Sequence, residues 1–290
     1  MSLPPLSLTD RLAALAQRLG LVRRGSQPLL EQASRLRLPF GPLPKVPDSI
    51  CWHDGPPLQR LADLPRGALS GPVQEDKAAA HAVLRTLVQQ NERKLSEFDL
   101  RWIDGHSGAP TPGQCFRSFE EYAAAPVCRS IRLISYKDFT RALALALPDL
   151  SSGATLVLRQ ANWRGERYFW CGEQASQAFS CAVAYARRRG LLQHFPAQLT
   201  EYRLNRAGLD QLDASYHVLA MPGEAWSDAR FMRLLLTGMP YARLHLLRDS
   251  GGPEFLLLPR TQSDANALGE GLRAAGAADV NAWLRSLLPG

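Results

Sequence analysis

The stretch DGHSGA places Asp104, His106 and Ser107 together, a carboxylate, an imidazole and a hydroxyl in one short segment. An imidazole that takes a serine proton, oriented by a carboxylate, is the machinery of nucleophilic hydrolysis. A second polar stretch, WHDG, sets His53 beside Asp54, which offers an acid/base pair; adjacent loop residues seldom reach each other in the geometry that catalysis needs. Metal chemistry has less to work with. His194, His217 and His245 have no partner at i+4 and no CxxC company, so neither a metal nor a cofactor is expected.

The elements that would have to position these groups sit in a chain of 290 residues, 46% apolar and 21% charged, an ordinary globular balance. No apolar run reaches the ~18 residues that span a bilayer, and Asp10 and Arg11 interrupt any export core near the start. A soluble, cytoplasmic protein is expected. Five cysteines without CxxC spacing fit a reducing compartment, with Cys171 and Cys181 acting as small hydrophobes. The net charge of +7 is spread along the chain, and thirty arginines against four lysines suggest the codon usage of a high-GC bacterial genome. Arg187, Arg188 and Arg189 are the densest cluster, in the last helical turn before Gly190, where they oppose the helix dipole.

Leu12, Leu15 and Leu19 mark a first helix capped by Ser7 or Thr9. Recurrent prolines from Leu38 to Pro65 exclude helix and central strand, leaving an arm that drapes over the rest. Ala80, Val83, Leu84, Leu87 and Val88 keep helical spacing and predict a helix from Gln74 to Lys94. Phe98, Leu100 and Trp102 alternate with polar residues and predict a half-exposed strand. From Ser130 the order reads βαββαβ: SIRLIS, KDFTRALALAL, ATLVLRQ, ERYFWC, SQAFSCAVAYARRRG, LTEYRLN. After a connector, RAGLDQLDAS, the order repeats from YHVLAMP, and five landmark pairs, Asp138 with Asp228 to Gly190 with Gly276, recur at offsets of 86 to 90 residues. We read this as an internal duplication. The runs TLVL, YFWC, LHLL and FLLLP are continuous rather than alternating, which predicts strands covered on both faces.

The βαββαβ order resembles the ferredoxin-like superfold, over Ser130 to Asn205 and in part over Tyr216 to Trp283. The expected fold is therefore α+β: duplicated ferredoxin-like βαββα(β) units behind an N-terminal helical and Pro-rich region. Boundaries are expected at 1–37, 38–72, 73–129, 130–205 and 206–290. RGERYFWC resembles the RNA-recognition signature at Arg164, Gly165 and Tyr168 but departs from it at Glu166, Arg167 and Cys171. DGHSGA resembles the G-x-S-x-G elbow of hydrolases, with Ala109 in place of the last glycine and Thr111 and Pro112 where the elbow needs a helix. Arg159, the aromatic run YFW and Glu254 resemble ADP-ribosyltransferases, without their Ser-Thr-Ser step.

No nucleophile, base and orienter converge in a recognised context, so the residues favour a non-enzymatic binding or regulatory protein. Its partner would be a protein or a small molecule, with no membrane partner. The alternative is an enzyme, a hydrolase on Asp104, His106 and Ser107 or a transferase on Arg159 and Glu254; a nucleic-acid binder comes third. A ligand site is expected where Trp52, His53, Asp54, His106, Arg159 and Trp163 converge.

Overall fold

The computed structural model describes residues 26–108, 114–149, 153–247 and 252–288. Among them are nine α-helices and two five-stranded sheets, so the chain is α+β. The helices are α1 (Ser26–Ser34), α2 (Gln74–Leu84), α3 (Phe119–Ala124), α4 (Tyr136–Ala146), α5 (Ser176–Arg189), α6 (Arg206–Ser215), α7 (Ala229–Leu235), α8 (Ser263–Ala274) and α9 (Val280–Ser286). The strands are β1 (Leu69–Ser70), β2 (Val88–Asp99), β3 (Ile103–His106), β4 (Leu156–Ala161), β5 (Tyr168–Trp170), β6 (His194–Leu204), β7 (Tyr216–Met221), β8 (Ala242–Leu244), β9 (Glu254–Pro259) and β10 (Ala278–Asp279). None of the described helices is long and apolar enough to cross a membrane. The chain divides into two compact units.

The mixed-sheet unit takes the described residues of Pro44–Pro65, Ala82–Asp210 and Leu284–Gly290. Its strands run in the order β2-β6-β4-β5-β3, with β4 parallel to β6 and β3 parallel to β5. Helix α4 starts where Ser135 and Asp138 form a reciprocal capping box, and Phe139, Ala142, Leu143 and Ala146 bury one stripe of it. Helix α5 ends at Gly190, whose φ of +63° is the left-handed conformation that glycine adopts without strain. Phe119, Phe139, Phe179, Leu156, Leu158 and Trp170 build one core between these helices and the sheet. The other side of the sheet is open in part. On β4, Leu156 and Leu158 are fully buried while Val157 between them is 47% exposed. On β6, Phe195, Ala197 and Leu199 are buried and Pro196 and Gln198 are exposed. The continuous run TLVL therefore belongs to a strand with one wet face, contrary to the expectation of double coverage.

The antiparallel-sheet unit takes the described residues of Met1–Leu43, Arg66–His81 and Gln211–Trp283. Its order is β1-β8-β9-β7-β10, and every neighbouring pair is antiparallel. Every residue of β7 is buried, as are Phe255 to Leu258 of β9. Leu219, Met221, Leu256 and Leu258 pack with Ala33, Phe231 and Leu268 on the side of α1, α7 and α8. On the opposite side Phe255 meets Trp283 of α9 edge-on at 6.2 Å. Here the reading of FLLLP as covered on both faces holds.

Several elements differ from expectation. The helix from Gln74 stops at Leu84, because the Thr86 hydroxyl and amide close a turn on Val83 and residues from Val88 pair antiparallel with β6. The helical spacing of Leu87 and Val88 reflects burial at a strand start instead. SIRLIS, expected to open the first duplicated unit, is irregular, and the connector RAGLDQLDAS is helix α6. The two sheets also differ in order and strand direction, so the expected repetition of one arrangement does not appear in their topology. The helix expected at Ser7–Leu19 lies outside the described residues.

Candidate functional site

Strand β3 carries His106 to a point where three backbones meet. The His106 amide donates to the Ile50 carbonyl and the Ser107 amide to the Trp170 carbonyl, each at 2.8 Å. Gly105 permits that approach, since a Cβ there would lie 2.3 Å from the Ile50 oxygen. His106 is buried parallel to the Phe119 ring, and its Nδ1 accepts from the Gly108 amide at 3.0 Å. Burial depresses its pKa to about 4; the Asp54 charge pulls it up and His53 pushes it down. The imidazole is thus neutral at physiological pH. His53 spends Nε2 on the Ser107 carbonyl at 3.0 Å, and the Asp54 carboxylate accepts from the Ser49 hydroxyl. The Asp104 carboxylate is held by Arg187 at 3.0 Å. Among the described residues the buried Ser107 hydroxyl has no hydrogen-bond partner. Asp104, His106 and Ser107 are close in sequence, yet no hydrogen bond links their side chains among the described residues.

Two residues outside the expected site hold this cluster: Cys51, which the sequence did not single out, and Arg164, which it offered only as part of an RNA-recognition-like stretch. Arg164, buried, donates from Nη2 to the carbonyls of Ser49 and Cys51, each at 3.0 Å, and lies over the Phe169 ring at 4.9 Å. Burial lowers its pKa to about 10, so it stays charged at neutral pH. The Cys51 thiol donates to the Gly108 carbonyl at 3.4 Å, and burial, aided by the Asp54 charge, pushes its pKa up and away from nucleophilic thiolate. The local context RGERYFWC marks Arg164 for an RNA-recognition-like role, not for holding the 49–51 backbone.

Trp52 and Arg159 do come together. The Arg159 guanidinium lies 5.3 Å from the Trp52 ring centroid and its Nε donates to Cys171 Sγ at 3.0 Å. Trp52 is itself buried, edge-on to Phe169 at 5.2 Å. Trp163 is buried as well and has no ring contact with the other candidates. Glu254 belongs to the other unit, where it accepts from Arg243 at 2.6 Å and meets His245 Nδ1 at 3.1 Å; Arg243 in turn lies 3.5 Å from the Trp226 ring centroid. Among the described residues no group of three or more His, Cys, Asp or Glu side chains could hold a metal ion.

A groove of about 550 Å³ lies elsewhere in the mixed-sheet unit. Its floor and walls are Tyr136, Phe139, Leu143, Ala144, Phe195 and Pro196, from α4 and the start of β6, with Thr140, Gln193 and His194 supplying polar edges. Nearby apolar groups are unusually bare: Ile134 is 75% exposed, Tyr136 62% and Leu192 66%. Lys137 and Arg141 are exposed on α4 beside this lining. Arg189 joins the same side, lying over Tyr185, which stacks on Phe139 and donates to the Ile134 carbonyl.

Residues 93–289 match a Family of unknown function (DUF6685). The chain belongs to this family. The segment shared with the family contains the whole groove together with Asp104, His106, Ser107, Arg159 and Glu254, whereas the Ser49–Gly55 half of the polar cluster precedes it. No curated protein and no solved structure matches the chain.

Proposed function

We propose that this protein is a non-enzymatic cytoplasmic binding or regulatory protein and that the groove beside α4 is its binding surface. The observation that carries the reading is an apolar cavity of about 550 Å³, within the usual range of ligand sites, rimmed by large apolar side chains left in water. The polar cluster at β3 supports it from the other side. His53, Asp54 and Cys51, and Arg164 through Nη2, hydrogen-bond to backbone or to the Ser49 hydroxyl and so tie the 49–55 arm to its neighbours, while Arg164 Nη1 is buried without a partner among the described residues. The test uses Nile red, a neutral apolar dye. Saturable fluorescence with the folded protein, abolished when Ala144→Trp fills the groove, is expected; a dye response indifferent to that substitution removes the reading.

The enzymatic alternative has one observation in its favour, a buried Ser107 hydroxyl with no partner among the described residues. A serine-directed phosphonate probe that labels the protein and fails with Ser107→Ala would establish it. Base stacking on Tyr168 and Trp170 has less room, because Trp170 is buried against Phe179 at 3.9 Å. For the fold, the run Tyr216–Asp279 with order β8-β9-β7-β10 supports a ferredoxin-like arrangement in that half. The 86 to 90 residue offsets support a common origin of the two halves.

A further inference from the structure

We propose a second binding site, on the antiparallel-sheet unit, that takes the terminal phosphate of a small phosphomonoester. It stands independently of the groove and of the reading above. Helix α1 and the turn that follows it bring Gln32, Arg35 and Leu36 together at i, i+3 and i+4, and α7 presents Arg230, Arg233 and Leu234 at the same spacing. Between them is a hollow of about 270 Å³ lined by these six residues. Leu36 and Leu234 are buried in the core that also holds Ala33 and Phe231. The floor is therefore apolar and fixed by packing, while the three arginines stand exposed on the walls.

Three like charges converge here, and no carboxylate belongs to the lining. Among the described residues none of the three guanidiniums enters an ion pair or stacks on a ring. The acids nearest in sequence do not neutralise them. Asp228 turns its carboxylate onto the amides of Arg230 and Phe231 at 3.0 and 2.8 Å, capping α7, and Glu31, one turn before Arg35, makes no ion pair with it. Helix stability accounts for Arg233, in the last turn of α7, where a cation opposes the dipole. It does not account for Arg230, in the first turn, where a cation is disfavoured.

A bound anion relieves the repulsion among the three, and guanidinium forks pair with phosphate oxygens two at a time. A terminal phosphate presents three oxygens and close to two charges at neutral pH, enough for Arg35 on one wall and Arg230 and Arg233 on the other. A carboxylate has two oxygens and one charge. A phosphodiester also has one charge and carries chain on both sides, so it enters a small hollow poorly. Leu36 and Leu234 receive the carbon stem, and a volume of about 270 Å³ suits a small molecule.

The experiment is isothermal titration calorimetry of the full chain with phenyl phosphate, inorganic phosphate and benzoate. Phenyl phosphate is expected to bind at one site, inorganic phosphate more weakly because the floor stays uncovered, and benzoate at least about tenfold more weakly. Arg230→Gln with Arg233→Gln should weaken phenyl phosphate at least about tenfold, and Arg35→Gln, on the opposite wall, should weaken it too. Circular dichroism checks that each variant is folded; if the double variant is not, Arg35→Gln decides alone. Arg188→Gln with Arg189→Gln removes the same charge from the other unit and should leave binding unchanged. Absence of phenyl phosphate binding, equal binding of benzoate, or equal loss in the Arg188 and Arg189 variant overturns the proposal. So does tighter binding of a single-stranded oligonucleotide, or binding only to phosphatidic acid vesicles. Phenyl phosphate binding that survives the arginine changes and is lost in Ala144→Trp would assign it to the groove and overturn this site alone.

Discussion

TLVL in the mixed sheet and FLLL in the antiparallel sheet read alike on paper, and the fold treats them oppositely. Leu257 is fully buried in the middle of β9, with α1, α7 and α8 on one side of the sheet and α9 on the other. Val157 is 47% exposed in the middle of β4, because the helices cover one face only and the arm reaches across just part of the second, around Trp52. A continuous apolar run announces that a strand is central; whether both faces are dry depends on what other segments lie over them. The units differ in their polar interior as well. The mixed-sheet unit buries His106 and Arg164 among backbone carbonyls and amides, and the antiparallel unit buries His217 against Asn266 at 2.8 Å.

The contrast between the sheets makes the largest prediction. Leu257→Asp should cost about 4 kcal/mol or more and leave insoluble or unfolded protein, while Val157→Asp should cost under about 1 kcal/mol. Urea unfolding followed by circular dichroism reads both, and equal effects would erase the distinction. Next in size is the response to acid. His106 has a folded pKa of about 4, below the ordinary value near 6.5, so the unfolded chain takes up a proton that the fold refuses. Its contribution is complete above about pH 6.5 and falls by about 3 kcal/mol as the pH drops toward 4. His217 is depressed by burial in the same direction, so both units should weaken in acid. Unfolding midpoints of His106→Gln at pH 7 and 4.5 should show a shallower pH dependence than the parent; an unchanged slope would place the acid sensitivity elsewhere.

The smallest effects concern helix starts. Helix α4 has a full capping box, whereas Gln262 before α8 makes no side-chain cap. Ser135→Ala should therefore lose about 1 kcal/mol and Gln262→Asp should gain up to about 1 kcal/mol, both measured by thermal unfolding. Opposite signs sharpen the comparison of the two units, and like signs would blunt it.

Helix α5 was legible because Ala-rich helical spacing, the terminal arginines and Gly190 all agree on one element. The covered strands β7 and β9 were legible from their apolar runs. The helix predicted through Lys94 was not, since the residues after Val88 are polar, largely exposed and held as a strand by pairing with β6 rather than by their own preference. Within the candidate site, the neighbours His106 and Ser107 could be found by type, but Cys51 and the role of Arg164 involve backbone atoms of distant segments, which leave no pattern in sequence. The groove was invisible for a similar reason. Its lining joins Tyr136 to Pro148 with Gly153, Ala154 and Gln193 to Pro196, and the apolar residues concerned look like any other core.

The sequence by itself determined which segments become buried helices and central strands, because periodicity and local caps act between near neighbours along the chain. Only the tertiary structure decided that the two sheets differ in strand order, that one keeps a wet face, and that the imidazole and carboxylate of DGHSGA are turned to separate partners while the hydroxyl is buried without one among the described residues. Those outcomes depend on which distant segment arrives at each face and edge, and the burial of a group follows from its completed surroundings rather than from its type.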